Sequence, residues 1–275
     1  MPVGRAERLD IRLVREGLAP TRSQAQALIL AGRVRVGERM VTKAGTPVPP
    51  DVPVRVEAPV SRYVSRGGQK LEYALRAFQL DPQGWEIVDL GASTGGFTDC
   101  WLQHGARRVW AVDVGRGQLA WTLRQDARVV VHEGLNARYL TLAQLGRKAP
   151  FDAASVDVSF ISIRWMFEPL LRVVRDQGDV VALIKPQFEA GPERVGKGGV
   201  VRDASVHREV LIQVLTRAQQ LGLAPLGLIP SPIRGAQGNI EFLAWLKVGG
   251  QGRWQPGDVD QAVQDAWHKG GAGDE

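Results

Sequence analysis

Four residues combine reactive chemistry with a place at the end of a regular element. Lys70 opens a helix in Ser65-Arg66-Gly67-Gly68-Gln69-Lys70-Leu71. Asp157 closes the fourth strand in Ser155-Val156-Asp157-Val158-Ser159-Phe160-Ile161-Ser162. Lys185 ends the apolar run Val180–Ile184 and leads into Pro186-Gln187-Phe188-Glu189, and Glu241 enters a late strand in Gly238-Asn239-Ile240-Glu241-Phe242. Ligand sites in open parallel sheets form at the carboxyl ends of strands, so Asp157 and Lys185 should meet there. A lone lysine or glutamate is usually a solvated or ion-paired surface residue; the chemical interest lies in the grouping.

A second cluster follows the first strand of the same region: Asp89-Leu90-Gly91-Ala92-Ser93-Thr94-Gly95-Gly96-Phe97-Thr98. Glycines here let the chain turn sharply and approach a ligand closely. The nicotinamide fingerprint Gly-x-Gly-x-x-Gly is not met, because position 93 is serine. The acid Asp89, just before the glycines, suits a ligand carrying an ammonium group. Asp113 ends the next strand, where a carboxylate can accept hydrogen bonds from both ribose hydroxyls of an adenosine. Gly91, Ser93, Thr94, Gly95, Gly96 and Phe97 would line the pocket with Asp89 and Asp113. Asn136, after the third strand, is either a further pocket residue or a turn cap. Together these features resemble a class I S-adenosylmethionine methyltransferase.

The elements that must position these residues read as α/β. Short apolar runs (Ile87–Leu90, Val109–Val112, Val129–Val131, Ala153–Val158, Val180–Ile184) alternate with helical stretches, which predicts a mainly parallel sheet with helices. Leu226–Ile229 and Ile240–Leu246 read as final strands. Ahead of this body lies a small α+β module: helical spacing at Leu9, Leu13 and Val14, a second helix entered through Thr21-Arg22-Ser23-Gln24 as a capping box, and an alternating strand Arg33-Val34-Arg35-Val36. The predicted division is 1–60 for the module, 61–66 for a linker, 67–249 for the body and 250–275 for a tail that frays apart from a helix around Val259 to Trp267.

Charge follows this division. Residues 1–66 hold 12 Lys and Arg against 6 Asp and Glu, while the remainder balances 23 against 23. A basic module beside a neutral body fits a polyanion partner. The module, over residues 6–57, resembles the ribosomal S-four-type (alpha-L) RNA-binding domain; that resemblance implies RNA contacts at Arg22, Arg33, Arg35 and Lys43.

The order Lys70, Asp157, Lys185, Glu241 resembles the Lys-Asp-Lys-Glu tetrad of FtsJ-like ribose 2′-O-methyltransferases. Val64–Gly67, Gly91–Thr98, Asp113-Val114-Gly115, Gly117–Trp121, Ser159–Ser162 and Lys185–Glu189 look like the TlyA (hemolysin A) family. This implies a class I (Rossmann-like) S-adenosylmethionine methyltransferase domain behind the RNA-binding domain. It also implies S-adenosyl-L-methionine as cofactor, and methylation of cytidine 2′-hydroxyls in small- and large-subunit ribosomal RNA. A ribose hydroxyl is a poor nucleophile until its proton leaves. A desolvated Lys185 near Lys70 could accept that proton when neutral, or steady the developing alkoxide when protonated. Asp157 and Glu241 would orient the lysines, and Lys70 would align the hydroxyl.

Other classes fit less well. No run reaches the ~18–20 apolar residues of a membrane span, which argues against a pore and for no stable membrane association. Met1–Arg5 leads into charged residues, so no secretory signal is predicted. Cys100 is the single cysteine and His104, His132, His207 and His268 lack ligand spacing, so a reducing cytoplasm and no metal are expected. A pseudouridine synthase would carry a similar N-terminal module but not the Asp89–Phe97 loop. An RNA-binding protein with an inactive methyltransferase body is the remaining alternative.

Overall fold

The structure, a computed structural model, describes residues 6–30, 32–56 and 62–270. Contacts divide the chain into two compact units, Met1–Arg62 and Tyr63–Glu275.

In the first unit β1 (Glu7–Arg8) leads into α1 (Leu9–Arg15) and α2 (Arg22–Leu30), followed by β2 (Val34–Val36), β3 (Arg39–Val41), β4 (Pro47–Val48) and β5 (Val54–Val56). Thr21 caps α2 as its sequence requires: its hydroxyl accepts from the Gln24 N–H at 3.2 Å. Leu9, Leu13, Ala25, Ile29, Val34 and Val54 form the core between the helix pair and the three-stranded sheet β3-β2-β5. Asp10 is buried and binds the Arg8 and Arg22 guanidiniums and the Gln26 amide. These partners, Arg8 foremost, hold its carboxyl far below the usual carboxylate range.

The second unit begins with α3 (Gly67–Phe78), whose Leu71, Ala74 and Leu75 face inward at helical spacing. It continues through β6 (Glu86–Leu90), α4 (Gly96–Gln103), β7 (Arg108–Asp113), α5 (Trp121–Arg124), β8 (Val129–Glu133), β9 (Phe151–Val156), α6 (Phe167–Val173), β10 (Val174–Ile184), α7 (Ala204–Leu221), β11 (Leu223–Pro230), β12 (Phe242–Val248) and α8 (Pro256–Gly270). The seven strands run in the order β11-β12-β10-β9-β6-β7-β8. Five are parallel, and β12 pairs antiparallel with both β10 and β11. Both sheet faces are covered. Val88, Leu90, Trp110, Val112, Val180 and Ala182 enter one core, whereas Ile87, Val109, Ala111, Val181 and Leu183 enter the other. That alternation explains why the central strands read as unbroken apolar runs.

Two expected boundaries shift. The linker expectation over 61–66 begins at Ser61, outside the described residues; Arg62 closes the first unit, and residues 63–66 belong to the second. Tyr63 is buried, and a Cβ on Gly68 would sit 2.2 Å from its ring, so the glycine is required by that packing. The helix expected around Val259 to Trp267 in the 250–275 tail is present and longer, as α8 (Pro256–Gly270). Val259, Ala262, Val263 and Ala266 of α8 are buried against α7 and β11, because their i, i+3, i+4, i+7 spacing makes one apolar face. Residues 271–275 lie outside the described residues.

Candidate active site

The four reactive residues meet at one end of the sheet. Ile184 lies opposite Phe242 in the antiparallel β10–β12 ladder, so Lys185, just past one strand, and Glu241, just before the other, are brought to the same edge. Asp157 follows β9, the parallel neighbour of β10. The first turn of α3 supplies Lys70. Each lysine has its own carboxylate. Lys70 is ion-paired and hydrogen-bonded to Glu241, with 11% and 3% of the side chains exposed. Lys185 Nζ lies 2.5 Å from Asp157 Oδ1 and donates to the Ser159 hydroxyl at 2.8 Å.

Two adjoining cavities flank this cluster. One, about 490 Å³, has Val112, Val114, Leu135, Ile161 and Met166 as apolar walls and Asp113, Gln118 and Asn136 as polar groups. The other, about 270 Å³, is lined by Ser65, Arg66, Lys70, Asp157, Lys185 and the glycine loop. Gly91, Ser93, Asp157 and Ser159 border both. Gly91 has φ +81°, and a Cβ there would come within 2.4 Å of the Asp157 carbonyl oxygen. Only glycine permits this junction. Ser93, in the same loop, also adopts a left-handed conformation, at φ +47°.

Asp113 receives the Ser93 N–H at 2.8 Å and the Gly115 N–H at 2.7 Å, one on each oxygen. A carboxylate oxygen can accept a second hydrogen bond, so both remain able to take a hydroxyl. Asn136 does both things its position allowed: it caps a 3-10 turn by accepting from the Arg138 N–H at 3.1 Å, and it lines the larger cavity. Thr94, Gly96 and Phe97 line the smaller one. An apolar slot with a carboxylate at one side, joined to a polar pocket bordered by the glycine loop, fits an adenosine moiety with an amino-acid extension.

Two expected pocket residues are placed elsewhere. Asp89 is fully buried and lines neither cavity. Its oxygens accept from the Thr98 and Ser155 hydroxyls, both at 2.7 Å, and Ser155 in turn accepts from Trp101 Nε1 at 2.9 Å. Asp89 points to the α4 side of the sheet, where it ties the loop to the core rather than facing a ligand's ammonium group. Burial pushes its carboxyl up to about 6. Gly95 faces Leu123 and Leu119, so its glycine serves packing. Conversely, Gln118, Ser159 and Phe160 line these cavities although nothing in their sequence spacing marks them as site residues. Gln118 accepts from the Ser93 hydroxyl at 3.2 Å.

A third cavity, about 830 Å³, opens beside the tetrad and includes Lys70, Lys185, Glu241, Phe160 and Phe188. Phe160 is 91% exposed with φ +63°, and its ring lies 5.2 Å from that of Phe188. A non-glycine residue held left-handed with its aromatic ring in solvent is a feature that functional sites tend to retain.

The residues expected to meet RNA in the first unit have unequal freedom. Arg22 is paired with buried Asp10 at 3.0 Å and thus also serves the fold. Arg33 is half-buried and Lys43 exposed. Arg35 donates to the Glu38 carbonyl at 2.8 Å and stands directly opposite Arg55 in the β2–β5 ladder. The juxtaposition marks Arg55 as a further basic residue on this sheet.

The parallel sheet, glycine loop and flanking cavities define a methyltransferase of the FtsJ-like kind: that family matches residues 63–248, and the S4 domain matches residues 7–54. The chain belongs to the TlyA family. It is 48% identical to the Bacillus subtilis rRNA methyltransferase-named protein YqxC, over 96% of this chain and 94% of that one. It is 44% identical to the Mycobacterium tuberculosis 16S/23S rRNA (cytidine-2′-O)-methyltransferase TlyA, over 90% and 91%. A solved, hemolysin-named protein of Streptococcus thermophilus superposes with a TM-score of 0.77 at 41% identity, covering 97% of this chain and 98% of that one. Among the described residues no helix is long and apolar enough to cross a membrane, and no group of His, Cys, Asp or Glu is arranged to hold a metal ion.

Proposed function

We propose that this methyltransferase modifies the ribose 2′-hydroxyl of cytidine in ribosomal RNA of the small subunit, the large subunit or both, in the cytoplasm, with S-adenosyl-L-methionine as donor. The observation that supports it most is the convergence of two lysine–carboxylate pairs where the smaller ligand cavity meets the open trough. The substrate named for the Mycobacterium tuberculosis relative agrees with this reading.

S-adenosylmethionine, when bound, supplies a methyl group made electrophilic by its cationic sulfur. Asp113 and Asn136 would hold the adenosine part, and Gly91, Ser93, Thr94, Gly96 and Phe97 would line the rest. Lys185, once in its neutral amine form, would take the proton of the 2′-hydroxyl as the oxygen–methyl bond forms and the methyl–sulfur bond breaks, and Asp157 would balance the resulting ammonium. Lys70, fixed by Glu241, aligns the attacking oxygen; such positioning is worth several orders of magnitude in rate. Phe160, exposed beside the trough, offers a face on which an unpaired base can stack. Arg22, Arg33, Arg35 and Lys43 of the S4 unit would contact phosphates.

The test incubates the protein with labelled donor and ribosomal subunits lacking 2′-O-methylation, followed by nucleoside mass spectrometry, with Lys185→Ala as control. Formation of 2′-O-methylcytidine by the wild type only is expected. Absence of transfer to either subunit despite measurable cofactor binding would reject the substrate, and a fully active Lys185→Ala would reject the assigned base.

A further inference from the structure

A trough of about 680 Å³ on the second unit lies outside the catalytic cluster and takes no part in the chemistry above. It runs between the 3-10 turn Ala137–Tyr139, the turn Ile163–Met166, α6 and α7. Tyr139 and Trp165 expose 67% and 59% of their surface there. The Arg138 guanidinium stacks over the Trp165 ring at 4.4 Å, and among the described residues it has no carboxylate partner. Arg172 and Arg217 line the same trough, each about half-exposed.

One carboxylate, Glu168, faces these cations, at 3.9 Å from Arg172 and 3.8 Å from Arg217. Arg138, Arg172 and Arg217 share this one carboxylate, so the trough carries excess positive charge, and exposed pairs at such distances contribute little. Arg164 is different: it is held by buried Glu189 at 3.3 Å and by the Ser162 hydroxyl at 3.0 Å, and belongs to the scaffold. The concentration of arginine is local, since residues 67–275 balance 23 bases with 23 acids.

We infer that this trough binds an unpaired segment of the RNA substrate, flanking the nucleotide presented to the tetrad. Exposed aromatic faces and a stacked guanidinium plane accept bases without regard to sequence, and arginines beside them take phosphates. A duplex would hide its base faces and leave Trp165 and Tyr139 without partners. The trough is continuous with the ligand cavity: Arg138 lines both, and Ile161 and Ser162 border one each. Phe160, on the same segment, lines the catalytic trough. A strand with one ribose at Lys185 would therefore pass over Phe160 toward Trp165.

The inference rests on RNA as substrate, and its test separates the two. A single-stranded oligoribonucleotide carrying 4-thiouridine is photo-cross-linked to the full-length protein and the modified peptide mapped. Adducts at Tyr139 or Trp165 are expected. In parallel, Trp165→Ala combined with Arg172→Ser and Arg217→Ser should raise KM for ribosomal subunits about tenfold, at unchanged kcat and unchanged cofactor affinity. Should the triple variant lose its fold, Arg217→Glu on the exposed side of α7 should raise KM in the same direction. Cross-links confined to other peptides, or a wild-type KM in the folded variants, would overturn the trough's role. Adducts at Trp165 with no methyl transfer to any RNA would preserve the trough and reject the proposed reaction.

Discussion

Lys70 and Glu241, 171 positions apart in sequence, form an ion pair from which solvent is largely excluded. Removing either partner leaves an uncompensated buried charge, which costs about 3–5 kcal/mol. Lys70→Ala and Glu241→Ala should each lose stability of that order in urea unfolding. Lys70→Met combined with Glu241→Leu should recover most of it without recovering methyl transfer. Recovery of both would show the pair to be only structural.

Asp113 should govern cofactor affinity independently of RNA. Losing a charged hydrogen-bonding partner costs about 1.5–3 kcal/mol, so Asp113→Ala should weaken S-adenosylmethionine binding by roughly ten- to hundredfold in calorimetry. KM for ribosomal subunits at saturating cofactor should stay the same. Asp89→Ala would act differently, through disorder of the glycine loop, since among the described residues Asp89 is hydrogen-bonded by Thr98 and Ser155 in the core.

Asp89 also gives stability a pH dependence of unusual sign. Its carboxyl titrates near 6 in the fold and near the ordinary 3.8 when unfolded. The folded chain therefore binds the extra proton between those values, and stability falls as pH rises through that window. Asp89→Asn should remove this slope and make the protein more stable than wild type at pH 7, by at most about 3 kcal/mol. Denaturation midpoints from pH 4 to 7 would reveal it; parallel curves for both proteins would refute it.

His207 works the other way. It is buried against Phe242 and Trp267, and burial pushes its imidazole down to about 4. The unfolded chain binds more protons between about 4 and 6.5, so stability drops as pH falls across that range. The two windows overlap, and the histidine is best measured in the Asp89→Asn background. There His207→Phe should flatten the remaining acid slope.

Phe160 should trade stability for activity. A non-glycine residue at φ +63° carries a conformational cost of about 1–2 kcal/mol. Phe160→Gly should raise the thermal midpoint slightly while reducing kcat/KM for RNA by about tenfold or more, through the lost stacking face. A variant with unchanged activity would remove the aromatic from the site.

Much of this arrangement was legible in the sequence because strand ends carry chemistry in parallel α/β sheets. Lys185 follows five apolar residues, and Asp113 closes another such run, so period and polarity located both. Asp89 was misplaced for a physical reason. A strand residue alternates between faces, and an apolar run covered on both sides gives no sign of which face a single acid takes. The hydroxyls of Thr98 and Ser155, which decide it, are ordinary helix and strand residues in sequence. Phe160 carried no periodic signal, because its exposure follows from a backbone conformation. The apolar centre of helix α8, Val259 to Trp267, was legible, whereas its start at Pro256 and its end at Gly270 were not, because the Gly- and Asp-rich flanks carry no apolar period.

The antiparallel entry of β12 has a consequence for the order in which the site comes into being. Synthesis delivers Lys70, Asp157 and Lys185 long before Glu241, and Glu241 reaches its partner only when the final strand zips onto β10. A nascent chain with everything up to α7 complete thus holds an unpaired Lys70 and an unfinished sheet edge. A tetrad acting as proposed is therefore complete only once that last strand has closed on β10.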